Sequence, residues 1–337
     1  MTEDSKKRIV SGMRSTGKLH LGHYFGVLAN WKKLQEQYDS FFFIADWHAL
    51  TTKFDTTEDL ATNVYNVALD WLSCGIDPEK STIYVQSYVP QIAQLHIFLS
   101  MITPQNWVER DPTLKDMAKA LRLKGSSESQ VSYGLLGYPV LMTADIMMFN
   151  ANYVPVGIDQ VPHVELSRDI VRRFNNIYKT DYFVEPEPLL TQIPLMKGVD
   201  GNKMGKSFNN DIKISDDEET TTKKIMSAIT DRSRLRRDDP GHPEDCEVVY
   251  DYWKIFDSEE KVKEIDSLCR KGEIGCAQCK RELAKKVNEM LAPIRQKRLE
   301  LAQKPELVRE ILMEGSKKAQ TEAQKVLDKV KEVVRMY

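Results

Sequence analysis

The sequence has few of the features that mark membrane, secreted or disulfide-rich proteins. No run of about 20 residues, the length of a membrane-spanning helix, is uniformly apolar, and the richest apolar segment, 134–150, is interrupted by Asp145. The first residues are charged and form no apolar segment, so we expect neither secretion nor membrane attachment, and a cytoplasmic location. Cysteine is scarce at five residues, which indicates thiols or metal ligands rather than disulfides.

An excess of charge of either sign is also missing. The chain has 48 basic and 50 acidic residues and a formal net charge of −2, so no overall field attracts nucleic acid, and such a site would have to be a local patch. Hydrophobic residues make up 41% and charged residues 29%, which excludes a disordered or fibrous chain. With 337 residues, a length of about 150 per domain gives two domains.

Short β-like runs alternate with longer helical segments through the first half of the chain. Strands are predicted at 7–13, 40–45, 82–88 and 153–156. Helices are predicted at 20–38, 58–74, 92–101, 133–150 and 161–178. This alternation favours parallel pairing, so we predict an α/β fold with a Rossmann-like, doubly wound parallel sheet and a ligand at the carboxyl ends of its strands.

The character of the sequence changes near residue 195. β-like runs disappear, and residues 218–337 read as helices and loops. We therefore predict a catalytic or binding domain over 1–195 and a smaller all-helical domain over 196–337, whose last helices can pack back on the first domain.

The segment 17–23, Gly-Lys-Leu-His-Leu-Gly-His, follows a predicted strand and opens a predicted helix. The first turn of a helix has free N–H groups that suit a phosphate. Gly22 allows a phosphate or a flat ring to approach the backbone, and His20 and His23 share one helix face. Taken alone, the two histidines could equally be a metal pair or surface residues.

A second segment, 201–207, reads Gly-Asn-Lys-Met-Gly-Lys-Ser. Lys203 and Lys206 in a glycine-containing loop can neutralise the β- and γ-oxygens of a triphosphate. In isolation this is equally a solvated basic loop. Its occurrence near the end of the α/β part, together with the first segment, favours a nucleotide site.

These two segments resemble the signatures of class I aminoacyl-tRNA synthetases. They stand here as His20-Leu21-Gly22-His23 and Lys203-Met204-Gly205-Lys206-Ser207, and the second departs from the usual Lys-Met-Ser-Lys-Ser at Gly205. The resemblance implies that His20, His23, Lys203 and Lys206 are catalytic.

Three further segments, 11–17, 138–146 and 154–160, resemble tryptophanyl-tRNA synthetases of the bacterial type, although Arg14-Ser15-Thr16 replaces the usual Gln-Pro-Ser. The ATP-binding residues implied are Arg14, Ser15, Thr16, Gly22, His23, Gly157, Ile158, Asp159, Lys203, Met204, Gly205, Lys206 and Ser207. The tryptophan-binding residues implied are Tyr138, Met142, Asp145, Val154, Val156, Gln160 and His48.

The physical chemistry of indole agrees with this substrate. Indole offers one N–H donor on a large apolar plate, so its site needs apolar walls and one buried acceptor. Asp145 lies in an otherwise apolar helix beside Met142 and Phe149. Such a site rejects rings that lack the donor. Tyrosine also has a donor, so a tyrosyl-tRNA synthetase remains an alternative, as do a sensor that no longer charges tRNA and an iron–sulfur redox protein.

The resemblance also implies substrates and partners. It implies L-tryptophan, ATP with Mg²⁺ and tRNA(Trp), a helical domain that binds the anticodon, and a homodimer with its interface in an insertion at about 85–140. The basic residues Lys115, Lys119, Arg122 and Lys124 could meet the tRNA acceptor arm or form a solvated loop.

Four of the five cysteines, Cys246, Cys269, Cys276 and Cys279, follow the spacing C-x22-C-x6-C-x2-C. Four thiolates can hold Zn²⁺ or a [4Fe–4S] cluster, and spacing alone also permits four unrelated thiols. The same spacing resembles a subset of tryptophanyl-tRNA synthetases with a [4Fe–4S] cluster, so we expect that cluster, with zinc as the alternative occupant. Cys74 reads as a buried helix residue.

Overall fold

A computed structural model describes residues 6–110, 132–190 and 196–336, without the side chain of Ser207. Its centre is a parallel sheet of five strands in the order β3-β2-β1-β4-β5. The strands are β1 Arg8–Arg14, β2 Asp39–Ala45, β3 Ser81–Val85, β4 Tyr153–Val156 and β5 Glu187–Leu190. The predicted α/β fold with a doubly wound parallel sheet is therefore confirmed.

Helices cover both faces of this sheet, and further helices of the C-terminal part of the chain pack on other helices. Before β4 they are α1 Leu21–His23, α2 Ala29–Gln37, α3 Asp46–Lys53, α4 Leu60–Cys74, α5 Gln91–Ile102, α6 Gln105–Glu109 and α7 Tyr133–Met147. After β4 they are α8 Val161–Tyr178, α9 Glu218–Ser227, α10 Glu247–Phe256, α11 Glu259–Arg270, α12 Cys276–Ala302 and α13 Pro305–Val334. Short 3₁₀ turns stand at Gln86–Tyr88, Ile158–Gln160, Lys206–Phe208 and Pro243–Asp245.

Strand β2 shows why the sheet is central. Its run of apolar side chains points alternately to the two faces. Phe42 packs in the core on one side, whereas Phe41 and Phe43 pack in the core on the other. A strand buried on both faces needs such a continuous apolar run, which is why the sequence predicts it well.

Five elements differ from the sequence prediction. The strand predicted over 82–88 ends at Val85, and Gln86–Tyr88 turns into a 3₁₀ helix. The helix predicted over 20–38 contains a π-helical turn at Tyr24–Leu28. Strand β5 and the helices α3 and α6 have no counterpart in the sequence prediction.

The C-terminal helix α13 lies against strand β3 of the sheet. A Cβ atom at Gly315 would stand 1.9 Å from the carbonyl oxygen of Ile83, so the helix touches the strand backbone directly. Ser316 accepts a hydrogen bond from the Val85 N–H at 3.3 Å. The division into domains at residues 195 and 196 stays a prediction.

Two further predictions concern parts of the chain with a limited description. Lys115, Lys119, Arg122 and Lys124 lie outside the described residues, as does part of the insertion expected at 85–140. Among the helices that are described, none combines the length and the apolarity that crossing a bilayer requires.

Candidate active site

A cavity of about 360 Å³ opens at the carboxyl ends of β1, β2 and β4, where a parallel sheet is expected to bind its ligand. Its lining is mainly apolar and includes Phe43, Ile146 and Pro155. All seven residues predicted to bind tryptophan line this cavity: His48, Tyr138, Met142, Asp145, Val154, Val156 and Gln160. The helix α7 and the strand β4 supply most of them, because they meet at this edge of the sheet.

Asp145 is a buried polar group of the cavity. It is 1% exposed, and its Oδ2 lies 2.9 Å from Nε2 of His48. The side-chain amide of Gln86 donates to Oδ1 at 2.9 Å and to Oδ2 at 3.0 Å. Burial raises the pKa of Asp145, while His48 and Gln86 oppose that rise. The carboxylate is therefore an acceptor held in a fixed orientation.

Sequence reasoning did not identify Gln86 or Asp46 at this site. Asp46 follows β2 and is buried, and its Oδ1 accepts the N–H groups of Trp47 and Ser87, both at 3.0 Å. It joins the carboxyl ends of β2 and β3 and thereby orients the segment that carries Gln86. Their positions in the sequence could have indicated a place at the site, because both residues directly follow a strand of a parallel sheet.

The hydroxyl of Tyr138 forms the other polar contact of α7 at the cavity. It lies 3.0 Å from Nε2 of His163, which is buried in α8. Thr143 on α7 contacts Ser167 on α8 in the same way, at 2.9 Å between the hydroxyl oxygens. These pairs lock α7 against α8 and so fix the direction of Asp145.

His20 and His23 lie together at the start of the helical segment after β1. Their ring centroids are 3.8 Å apart, and the His20 backbone N–H donates to Nδ1 of His23 at 3.2 Å. His23 is therefore a neutral imidazole with its proton on Nε2. Burial lowers the pKa of His20 to about 4 and that of His23 well below its ordinary value. Both rings are neutral hydrogen-bond donors at pH 7.

Gly22 has a packing role that the sequence did not reveal. A Cβ atom there would lie 3.0 Å from the His20 ring and 3.8 Å from Sδ of Met204. The absence of a side chain therefore makes room for His20, and it brings the loop that carries Met204 close to the same turn.

Lys206 reaches back from that loop to the turn after β1. Its Nζ donates to the carbonyl oxygen of Gly17 at 2.7 Å, and Gly17 has a φ of 125°, which favours glycine. Burial lowers the pKa of Lys206 to about 8, and the charges of Asp70 and Asp211 oppose this shift. The structure thus places Lys206 beside the two histidines, as expected for a shared phosphate site.

Asn210 organises the loop that carries Lys203 and Lys206. Its side-chain oxygen accepts the Gly205 N–H at 2.9 Å, and its side-chain nitrogen donates to the Lys203 carbonyl at 3.1 Å. Lys203 itself is exposed. A Cβ atom at Gly205 would lie 3.1 Å from the ring of Phe208, which is exposed, so the serine usual at this position would need only a small shift of that ring.

Most of the remaining residues predicted to bind ATP lie at or just after the carboxyl ends of β1 and β4. Arg14 and Gly157 line the cavity, and the Arg14 guanidinium donates to the hydroxyl of Thr52. Burial lowers the pKa of Arg14. The others are Ser15, which is buried, Thr16, which is half-buried, and Ile158 and Asp159, which are exposed on the 3₁₀ turn after β4.

Comparison with known proteins agrees with this geometry. Residues 2–292 match the family of class I tRNA synthetases for W and Y. A tryptophan–tRNA ligase of Aquifex aeolicus is 41% identical over 98% of this chain and 100% of its own length. That of Thermotoga maritima is 44% identical over 98% of this chain and 99% of its own length. The chain belongs to the tryptophan–tRNA ligase family.

A solved synthetase gives the same result at the level of structure. The tryptophanyl-tRNA synthetase of Campylobacter jejuni, in complex with ADP and tryptophan, is 37% identical and superimposes with a TM-score of 0.87. The match covers 98% of this chain and 100% of that one. The bacterial type of the family and the class I catalytic fold with a helical C-terminal region are thus both confirmed.

The four cysteines of this synthetase come together at the ends of three helices. Cys246 precedes α10, Cys269 lies near the end of α11, and Cys276 and Cys279 form the first turn of α12. Burial raises the pKa of Cys279 to about 12, and the other three thiols act on it in the same direction. Cys74 lies apart in α4 and is buried, as predicted.

Two N–H donors face these thiols. Arg234 Nη1 lies 3.8 Å from Cys269 Sγ and 4.0 Å from Cys276 Sγ, and the indole nitrogen of Trp253 donates to Cys279 Sγ at 3.2 Å. Such donors stabilise anionic sulfur. Three of the four thiols, those of Cys269, Cys276 and Cys279, thus lie beside an N–H donor.

Proposed function

We propose that the protein activates L-tryptophan with ATP and transfers it to tRNA(Trp). The observation that carries this proposal is the buried carboxylate of Asp145 in an apolar cavity lined in part by β1, together with Lys206, which contacts Gly17 in the turn that directly follows β1. In the first step, a carboxylate oxygen of tryptophan attacks the α-phosphorus of ATP, and pyrophosphate leaves. In the second step, a terminal hydroxyl of the tRNA attacks the acyl carbon, and AMP leaves.

The cavity supports tryptophan as the amino acid. The flat indole ring fits between apolar walls that include Met142 and Val154, and its N–H can donate to Asp145. A hydrogen bond to a charged group contributes about 1.5–3 kcal/mol, so ring systems without a donor bind less well. The family assignment favours tryptophan over tyrosine, which would also offer a donor.

The phosphate end of the site supports adenylate formation. Neutral His20 and His23 can donate to the phosphate oxygens of ATP, and this needs no change of protonation at pH 7. Lys206, with the exposed Lys203, would hold the departing pyrophosphate as charge builds up on it. Mg²⁺ enters with ATP, held by the phosphate oxygens. Catalysis is thus positioning and charge stabilisation, with no covalent enzyme intermediate.

The test is ATP–pyrophosphate exchange with each of the twenty amino acids in turn. Tryptophan alone is expected to support exchange. Exchange that depends on tyrosine would instead identify tyrosine as the amino acid that the protein activates. Aminoacylation of purified tRNA(Trp) is measured in parallel. Exchange without aminoacylation would identify a sensor rather than a ligase, and no exchange with any amino acid would refute the proposal.

We further propose that the protein is a homodimer. The face formed by α5 and the start of α7 exposes Ile97, Met101 and Tyr133, which are 57%, 78% and 75% exposed. Large exposed apolar patches mark interaction sites, and a second copy of the chain is the family's partner for this region. Sedimentation equilibrium is expected to give twice the chain mass of 38.8 kDa, and Met101→Glu to give the monomer. A monomeric wild-type protein would refute the dimer.

We propose a [4Fe–4S] cluster as the occupant of the four cysteines, with zinc as the alternative. Among the described residues, no three of these thiols lie within 4.8 Å of one another. The ligands of a single zinc ion stand about 3.8 Å apart, from Zn–S bonds of about 2.3 Å, so the wider set suits a larger group. When bound, the cluster would brace α10, α11 and α12, the helices of the anticodon region.

Anaerobic purification followed by metal and sulfide analysis tests this occupant. Four iron and four sulfide per chain, with brown absorbance that Cys279→Ser abolishes, are expected. Cys74→Ser is the matched control and should keep the colour, because Cys74 lies outside the cluster of thiols. One zinc per chain without iron would identify zinc, and the absence of both metals would refute a metal site.

A further inference from the structure

The carboxylate of Asp70 links two helices at a fully buried position. Asp70 lies in α4, and its Oδ1 accepts a hydrogen bond of 2.6 Å from Nε of Arg298 in α12. Arg298 also donates to the side chain of Asn66, one turn earlier in α4, at 3.0 Å. Because desolvation offsets much of the attraction within a buried ion pair, net stability alone is a weak reason for such a pair.

The second oxygen of Asp70 reaches the turn that carries His20. Oδ2 of Asp70 accepts the backbone N–H of Leu19 at 3.1 Å. The carbonyl of Leu19 in turn accepts the N–H of Ile214, in the segment after the Lys206 loop, at 3.0 Å. The backbone immediately before His20 is therefore fixed by α4 on one side and by the segment after the loop on the other.

We propose that Asp70 and Arg298 are a positioning pair for adenylate formation. Arg298 orients the Asp70 carboxylate, which holds the His20 turn through the Leu19 N–H and faces Lys206 with a negative charge. The inference rests on the proposed function, because the pair acts through His20 and Lys206 and touches no substrate.

The position of Arg298 also connects the pair to the helical region. Arg298 stands 22 residues after Cys276, the first residue of α12, which is about 33 Å at about 1.5 Å per residue. The pair thus joins α4 to the same helix whose first turn holds Cys276 and Cys279.

The electrostatic role of Asp70 can be separated from its structural role. The charged and titratable groups around Lys206 come from three parts of the chain: Asp70 of α4, Asp211 and Lys213 after the loop, and the pair His20 and His23. The negative charge of Asp70 favours protonated Lys206. Removing that charge should therefore lower the pKa of Lys206 below about 8, so that this lysine loses its proton at a lower pH.

Arg295 provides a matched control within the same helix. It lies one turn before Arg298 and donates to Asn288 at 2.9 Å and to Thr221 at 2.7 Å. These contacts join α12 to itself and to α9, and none of them reaches the turn that carries His20. A variant of Arg295 thus perturbs the packing of α12 without acting on the ATP site.

The experiment measures tryptophan-dependent ATP–pyrophosphate exchange from pH 6 to pH 10 in full-length Asp70→Asn, Arg298→Met, Arg298→Lys and Arg295→Met. Asp70→Asn and Arg298→Met are expected to lower kcat at least tenfold while the KM for tryptophan stays within twofold. In the plot of kcat against pH, the fall in kcat on the alkaline side is expected to occur at a lower pH in Asp70→Asn than in the wild type. Arg298→Lys should recover part of the activity, and Arg295→Met should stay within twofold of the wild type.

Thermal unfolding of every variant is measured, so that a loss of activity caused by destabilisation can be told apart from a loss of positioning. Each variant is assayed at the same number of degrees below its own melting temperature. Equal kcat values for Asp70→Asn and Arg295→Met under these conditions would overturn the inference. So would an Asp70→Asn variant whose kcat falls at the same alkaline pH as that of the wild type. If Asp70→Asn does not fold, the kcat and KM values of Arg298→Met and Arg298→Lys decide. A wild-type protein without tryptophan-dependent exchange would instead refute the proposed function, so the two failures are distinguishable.

Discussion

The side-chain nitrogen of Gln86 bridges both carboxylate oxygens of Asp145, at 2.9 and 3.0 Å. His48 binds only one of these oxygens, Oδ2, at 2.9 Å. Within the described part of the chain, Oδ1 therefore receives one donor where Oδ2 receives two. Since each carboxylate oxygen has two lone pairs, Oδ1 is the atom with capacity for the ring N–H of tryptophan.

Replacing the acceptor should impair binding of the amino acid. Asp145→Asn keeps the size of the side chain but removes its charge. It also replaces one acceptor oxygen by an NH₂ group, which cannot accept the hydrogen bonds that the carboxylate receives. We expect the KM for tryptophan in pyrophosphate exchange to rise about 10- to 100-fold, equivalent to about 1.5–3 kcal/mol for a hydrogen bond to a charged group. The control is Asp181→Asn, an exposed residue that should behave as wild type. An unchanged KM in Asp145→Asn would contradict the assigned role.

The support from Gln86 can be tested by comparing two substitutions of similar size. Gln86→Met removes the donor, and Gln86→Glu places a second carboxyl beside the buried carboxylate, where like charges raise the pKa of one member. We expect Gln86→Glu to raise the KM for tryptophan more than Gln86→Met at pH 8. Lowering the pH to 6 should narrow the difference, because the two carboxyls can then share a proton. A pH-independent difference would show that shape rather than charge is responsible.

The sequence predicts the sheet well where burial dictates it and poorly elsewhere. Strand β2 is apolar throughout and stands out in the sequence. Strand β5 is four residues long, contains Pro188 and lies at the edge with exposed positions, so it has neither a long apolar run nor clear alternation. The end of β3 was misplaced because Gln86–Tyr88 continues the strand-like composition although its backbone turns.

The same limit applies to the candidate site. The residues of the short motifs could be named because each motif carries its own chemistry. Gln86 carries no such motif, and its role appears only once the strand has ended in the right place. The partners Asp70 and Arg298 are 228 residues apart, and no local pattern in a single sequence reports such a pairing.

Substitution of Lys206 should affect the chemical step more than tryptophan binding. Lys206 stands beside the histidines, where we propose that the charge of the leaving pyrophosphate builds up, and interactions made mainly in the transition state lower kcat when they are removed. We expect Lys206→Met to lower kcat in pyrophosphate exchange by about 10²- to 10³-fold, with the KM for tryptophan within twofold. Lys223→Met, at an exposed position on α9, is the control. A rise confined to the KM for ATP would instead indicate ground-state binding only.

The buried His20 should make the protein less stable in mild acid. Its pKa is about 4 in the folded chain and 6.5 ordinarily, so between these values the unfolded chain binds the extra proton. Stability is therefore complete above pH 6.5 and falls as the pH drops toward 4. In urea titrations, we expect His20→Asn to lose about 1–2 kcal/mol less than the wild type between pH 7 and pH 5. Equal losses in both proteins would mean that His20 titrates normally in the folded state.

The contact between α13 and β3 leaves no room for a side chain at Gly315. A Cβ atom there would stand 1.9 Å from the Ile83 carbonyl oxygen, and the strand backbone can yield only by moving the sheet. Overpacking costs about 1–3 kcal/mol, and a clash with backbone falls at the upper end of this range, so we expect Gly315→Ala to lower the melting temperature by several degrees. Gly134→Ala is the matched control, since Gly134 also lies in a helix and the new Cβ would be 3.8 Å from the hydroxyl oxygen of Ser132, an ordinary van der Waals distance. That variant should be at least as stable as the wild type, because alanine favours the helix. Similar melting temperatures for Gly315→Ala and Gly134→Ala would show that α13 does not pack tightly against the backbone of β3.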